Sequence, residues 1–319
     1  MNFELMRVIA VFFLAAISFS CQPNKKNPQE SQDKEPTQMA NPTVKTNPLK
    51  DAYFGETHVH TSSSMDAFIG GNRLTPEDAY RFARGEEVMA NGSPHRLKRP
   101  LDFCAISDHA EFFGETFTLM NPGTPGYNDP IATQMREADN YEDAMALFVK
   151  YVITPGRTGG SIHPEFYQGI ESTMSGWRKN FEATEKYNEP GRFTAFIGYE
   201  WTSQVPPGQN LHRVVVYRDG AAKASQTVPA TTYAPQGSTD PEYLWEILQA
   251  YEDKTGGDLL AIGHNGNLSN GLMFPEVNPV TGRRLTKEYA ETRAKWEPLY
   301  EVTQIKGDGE AHPFLSPND

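Results

Sequence analysis

The chain has 319 residues, 29 Lys and Arg against 41 Asp and Glu for a net charge of −12, 38% hydrophobic residues and two cysteines. This composition excludes collagen-like, coiled-coil and disulfide-stapled architectures, and an acidic chain without a Lys/Arg block argues against a duplex nucleic-acid partner, which needs clustered cations. The length accommodates one α/β barrel domain, a class that runs to about 250 residues, together with a tail.

Val8 to Ser20 is an apolar run behind Arg7, too short to span a bilayer and suited to the core of a secretory signal. It ends Ile17-Ser18-Phe19-Ser20-Cys21, which resembles a bacterial lipoprotein processing site. Residues 1–21 are therefore expected to direct secretion across the inner membrane, with Cys21 carrying a lipid anchor in the periplasm or outer membrane; a plain cleaved signal is the alternative. Residues 22–50 lack aromatic side chains and are dense in Pro, Asn, Gln and Lys, so they cannot bury enough surface to offset chain ordering and read as a linker. Cys104, inside the apolar run LDFCAIS, reads as a small core residue.

Residues 51–319 alternate β-rich runs with amphipathic stretches, which predicts an α/β domain with a largely parallel sheet. The predicted strands are residues 52–58, 101–107, 193–199, 212–217, 259–263 and 299–305, most of them near-continuous apolar runs of the kind buried on both faces. Thr75-Pro76-Glu77-Asp78 and Asp240-Pro241-Glu242 are helix starts, each with a cap residue, a proline at the first helical position and acid in the first turn. The second of these helices stops at Gly256-Gly257. Further helices are predicted around residues 131–152, 164–187 and 285–296, and residues 120–188 read as a helical insertion over one barrel mouth.

The ionisable residues collect at strand ends. His58 and His60 close the first strand, Asp108 and His109 the second, Glu200 follows FTAFIGY and His264 follows LLAIG. In a parallel barrel those ends converge on one rim, where active sites of such folds lie. With His212, five of the eight histidines are strand-associated. Neutral imidazole suits Zn, Mn or Fe, and Asp66, Glu200 and Asp108 are the carboxylates available to balance the charge. Four or more imidazoles with two carboxylates exceed one mononuclear site, so two or three divalent ions are expected, with phosphoester hydrolysis by metal-activated water. Glu200 and His109 are read as catalytic as well as metal-ligating, and the strand-end cations Arg213 and Lys306 as holders of a small anionic ester substrate. His95, His163 and His312 sit in polar or proline-adjacent turns and are not expected to be ligands.

The runs FGETHVHTSSSMDA, DFCAISDHAE, FTAFIGYEWTS, NLHRVVVYRDG, LLAIGHNGNLSNGLMF and EVTQIKGDGEAHPFLSPND resemble a bacterial envelope family of unknown function within the PHP (polymerase and histidinol phosphatase) superfamily. The resemblance implies a distorted (β/α)7 PHP-type barrel with a multinuclear metal site and phosphoesterase activity. It carries the ligand roles to His58 and His60, to Asp66, to His109, to Glu200 as the bridging glutamate, to His212 and to His264. The superfamily's last Asp-x-His motif has no match after His264, since Asp308-Gly309-Glu310 and His312 are spaced differently; an incomplete barrel is therefore expected, with a final strand and final ligands lacking. The alternatives are a sulfatase or amidohydrolase-like activity on the same metals, or an inactive metal- or ligand-binding surface lipoprotein.

Overall fold

The computed structural model describes residues 47–154, 163–206, 208–233, 237–309 and 314. The segment read as a secretory signal, Cys21, most of the predicted linker and His312 lie outside them. Among the described residues, no helix is long and apolar enough to cross a membrane.

Six strands form the central sheet in chain order: β1 (Gly55–Val59), β2 (Phe103–Ile106), β3 (Thr194–Trp201), β4 (Arg213–Tyr217), β5 (Leu259–Gly263) and β6 (Leu299–Tyr300). Five gaps of about 4.8 Å would hold the edges of a flat sheet about 24 Å apart. Yet His58 on edge strand β1 lies 2.7 Å from Glu301, the residue directly after edge strand β6. The sheet is thus curled into a half-barrel, and the curl is strong enough for its two edges to touch at the rim.

The expectation of a largely parallel sheet holds for five of the six strands. β1, β2 and β3 run parallel, as do β5 and β6, but β4 is antiparallel to both neighbours. Its reversed direction has a physical reason: only residues 202–212 connect β3 to β4, short of the dozen or more that a parallel crossover needs. The reversal places the start of β4, not its end, on the rim formed by the C-terminal ends of β1, β2 and β3. This is how His212, just before β4, reaches the other histidines.

The helices cover the sheet as their sequence signals predict. α1 (Met65–Ile69) follows β1, and α2 (Pro76–Ala83) opens with a capping box in which the Thr75 hydroxyl accepts from Asp78 N and the Asp78 carboxylate accepts from Thr75 N. α3 (Phe113–Met120), α4 (Pro130–Arg136), α5 (Tyr141–Phe148) and α6 (Ile170–Tyr187) occupy the β2-to-β3 connection. α7 (Pro241–Thr255) is capped by Asp240, which accepts from Glu242 N at 3.0 Å, and ends at Gly256 in the left-handed region that glycine adopts without strain. α8 (Lys287–Trp296) leads into β6.

The main core joins α6 and α7 to the sheet. Trp177 of α6 packs on Tyr199 of β3 and Tyr217 of β4, and α7 adds Leu244, Trp245, Leu248 and Tyr251 at helical spacing. Each such buried side chain contributes about 1.5–3 kcal/mol of transfer free energy. α6 is therefore a covering helix of the sheet and not part of a mouth insertion, which narrows the predicted insertion. α1, α3, α4 and α5 build a separate apolar cluster around Met65, Phe68, Leu119, Met135 and Phe166. That cluster anchors the short helix carrying Asp66 and so fixes one edge of the rim. Cys104 is buried in the core, as expected.

Candidate metal centre

Residues i and i+2 of a strand face the same side, so His58 and His60, at the end of β1, both turn inward. Each meets one oxygen of Glu200: Nε2 of His58 lies 3.1 Å and Nε2 of His60 2.8 Å from Oε2. The other oxygen, Oε1, has His212 Nδ1 at 2.8 Å, His264 Nε2 at 3.1 Å and His109 Nδ1 at 3.6 Å. Five imidazoles drawn from the ends of three strands and the loop after β2 thus surround one carboxylate that has no solvent exposure. Glu200 is the penultimate residue of β3 and not the residue after it. Backbone pairing carries it to the rim, where its N–H donates to Asp108 O at 3.0 Å.

Two further carboxylates flank the cluster. Asp66 lies 3.0 Å from His60 Nδ1 and 3.4 Å from His109 Nε2, and Glu301 lies 2.7 Å from His58 Nδ1. The donor atoms fall into four overlapping groups whose members lie within 4.8 Å of one another: His58, His264 and Glu301; His58, His60 and Glu200; His60, Asp66 and His109; Glu200, His212 and His264. Buried His/Glu clusters of this composition can hold a metal ion, and the groups overlap through His58, His60, His264 and Glu200.

The electrostatics show how much charge the pocket manages. Burial alone would raise the Glu200 carboxyl, but His109, His264 and His212 hold it well below the usual carboxylate range. Burial opposes protonation of His60, yet its partners Asp66 and Glu200 push it up to about 10. His58 is also raised, burial being outweighed by Glu200 and Glu301. His212 is pushed down to about 4 by burial, only partly offset by Glu200, and burial likewise lowers His264. The cluster therefore presents two imidazoles, His212 and His264, biased toward the neutral form that ligates, and two, His58 and His60, biased toward the protonated form that a cation would displace.

Of the predicted site residues, His58, His60, Asp66, His109, Glu200, His212 and His264 come together. Lys306 lies at the rim, its Nζ 3.9 Å from Asp66. Arg213 does not join them. It neighbours His212 in the chain, and successive strand residues face opposite sides of a sheet. Its guanidinium is buried behind the sheet, where Nε donates to Glu297 at 3.0 Å, so its predicted role in holding substrate is corrected to a structural one. Asp108 is likewise not among the grouped donors: its buried carboxylate accepts from the backbone N–H and hydroxyl of Thr61, tying down the loop after His60. Glu301 was hidden inside a strand predicted to run to residue 305; the real strand stops at Tyr300, which leaves Glu301 in the same strand-end position as the other ligands.

Glu297 also accepts from Trp245 Nε1 at 2.9 Å and pairs with Arg293 at 3.0 Å. Burial would raise its pKa, but Arg213 and Arg293 hold it below the ordinary value, so its stabilisation is present above the usual carboxylate range and lost as pH falls through it. Glu297→Ala leaves Arg213 buried and unpaired, with an expected cost of about 3–5 kcal/mol. Chemical denaturation should show that loss with the metal content unchanged; wild-type stability in the variant would remove the pair's structural role.

Residues 47–319 match the model of a family described as "Protein of unknown function (DUF3604)". The chain belongs to this family. No curated protein and no solved structure matches it. For this member of the family, a cluster of five histidines, three of them buried, around one buried glutamate is thus the main guide to chemistry.

Proposed function

We propose that the chain is a metal-dependent hydrolase acting on a small anionic ester, a phosphoester first of all, on a barrel of the PHP type. The single observation that carries this reading is Glu200: a fully buried carboxylate whose two oxygens face different sets of imidazoles. A carboxylate so placed, together with His58, His60, Asp66, His109, His212 and His264, would hold the cations. Such ions, when bound, supply Lewis acidity toward an ester oxygen and make water a usable nucleophile at neutral pH. The chain's own residues contribute positioning: Asp66 orients His60 and His109, Glu301 orients His58, and Lys306 offers a positive charge at the rim for an ester oxygen. With a net charge of −12, the protein's overall field repels anions, so substrate attraction falls to the site itself. Secretion and lipid anchoring through Cys21 belong to the same reading and rest on the sequence Arg7 to Cys21.

The test compares the purified chain with His58→Ala/His60→Ala on phosphate, phosphonate and sulfate esters, alongside metal analysis. The wild type is expected to hold transition metal and to prefer phosphoesters, and the double variant to lose at least one metal equivalent and on the order of 10³-fold in kcat/KM. Metal bound without turnover of any ester would favour a binding module; hydrolysis unchanged in the variant would remove the histidines from the chemistry.

A further inference from the structure

We propose that the cavity at the junction of α2, α3 and α6 is a binding site for an apolar α-amino acid, recognised through both of its charges. The cavity has a volume of about 410 Å³, within the range of about 300–1,000 Å³ typical of small-molecule sites. One wall is the face of α3 that carries Phe113, Phe117 and Met120 at helical spacing, and the opposite wall is the face of α6 from Gly176 to Lys186. The two helices approach most closely at Gly176, where a Cβ would meet the Phe113 carbonyl oxygen at 2.6 Å. The start of α2 and the loop residues Ser62 and Ser63 close the remaining sides. His60 and Asp66 do not line the cavity, so the site is separate from the imidazole cluster and independent of the hydrolase reading.

The polar groups around this apolar pocket are short of partners. Ser62 is 2% exposed, and its hydroxyl, with no hydrogen bond among the described residues, borders the cavity. Glu182 has Lys186 four residues on, the spacing at which the two would pair, but Lys186 instead reaches across to Glu77 of α2 at 2.5 Å. Lys179 donates to the neutral Asn121 side chain and lies over the Phe117 ring, 5.4 Å from its centroid. Among the described residues neither Glu182 nor Lys179 has an ion-pair partner. The rim thus offers one uncompensated carboxylate and one uncompensated ammonium, three residues apart on α6 and therefore neighbours on its surface. A simple anion would meet Glu182 and a simple cation Lys179, each of like charge. A zwitterion satisfies both, while its apolar side chain covers Phe117 and Met120.

Calorimetric titration of the full chain with L-phenylalanine and L-leucine tests the site, alongside hydrocinnamate, which lacks the ammonium, and phenethylamine, which lacks the carboxylate. Saturable binding of the amino acids is expected, with each single-charge analogue weaker than L-phenylalanine by about tenfold or more, the loss of one charge-assisted hydrogen bond. Lys179→Ala and Glu182→Gln, both at exposed positions of α6, should each weaken L-phenylalanine by a similar factor, whereas His58→Ala/His60→Ala should bind it as the wild type does. No saturable binding of either amino acid by the wild type would overturn the proposal. Equal binding of L-phenylalanine and either single-charge analogue would do so too, as would full affinity in both Lys179→Ala and Glu182→Gln or loss of binding in the histidine variant. The ligand comparisons need only the wild-type chain, so they decide even where a variant fails to fold.

Discussion

Glu200→Gln is expected to cost the protein at least one metal equivalent and on the order of 10³-fold or more in hydrolysis, while keeping its fold. Glutamine has nearly the same volume as glutamate, so the packing of β3 is preserved, but one anionic oxygen becomes an amide that can only donate. Glu200 is where four imidazoles approach within 3.1 Å and a fifth within 3.6 Å. Glu301→Gln disturbs the contact to His58 at the edge of the cluster and should weaken metal binding by the 10–100-fold typical of an orienting partner. Circular dichroism, metal analysis and ester hydrolysis on the two variants establish the ranking. A Glu200→Gln protein with full metal content and turnover would show that the carboxylate bridges nothing.

Metal should also stabilise the protein strongly. An ion that binds only the folded state contributes about 4 kcal/mol when present at about a thousand times its Kd, and for a domain near 250 residues each kcal/mol moves Tm by about 2–4 °C. Treatment with a chelator is therefore expected to lower Tm by about 10 °C, and Zn²⁺ or Mn²⁺ to restore it. The effect has a predictable pH dependence. His60, raised to about 10, holds a proton at neutral pH in the metal-free protein, and His58 is raised in the same direction. Metal uptake expels protons held there, so affinity, and with it the shift in Tm, falls as pH drops from 8 to 6. Calorimetric scans with chelator and with metal at both pH values measure this directly; a Tm indifferent to chelator would mean that the imidazoles serve packing alone.

The parts of the site visible in the sequence were those where an apolar run ends on an ionisable residue. β5 was bounded at Leu259–Gly263 from its composition, and His264 directly follows it; Glu200, His58 and His109 obey the same pattern. The helix starts at Thr75 and Asp240 are written in side chains that bond their own backbone, and they fold as read. Strand direction is different, because it depends on pairing partners far away in the chain; only the brevity of the β3–β4 connection hinted that β4 runs backwards. Arg213 was misassigned although alternation along a strand already forbids it from facing the same side as His212. Glu301 escaped because apolar Val302 and Ile305 extended the apparent strand, whereas the chain turns after Tyr300 into a small hairpin pairing Thr303–Gln304 with Gly307–Asp308. His163 looked like a turn residue beside Pro164, and its partner Glu115 lies 48 positions away, beyond any local pattern.

The most direct measurement is elemental analysis of the full-length protein purified without chelator and again after incubation with Zn²⁺, Mn²⁺ and Fe²⁺ followed by desalting. Two or more transition-metal equivalents per chain are predicted, as two-metal chemistry requires, and the count should fall in Glu200→Gln. A wild-type chain that carries no transition metal and takes up none under these conditions would contradict the metal centre, and with it the proposed hydrolysis.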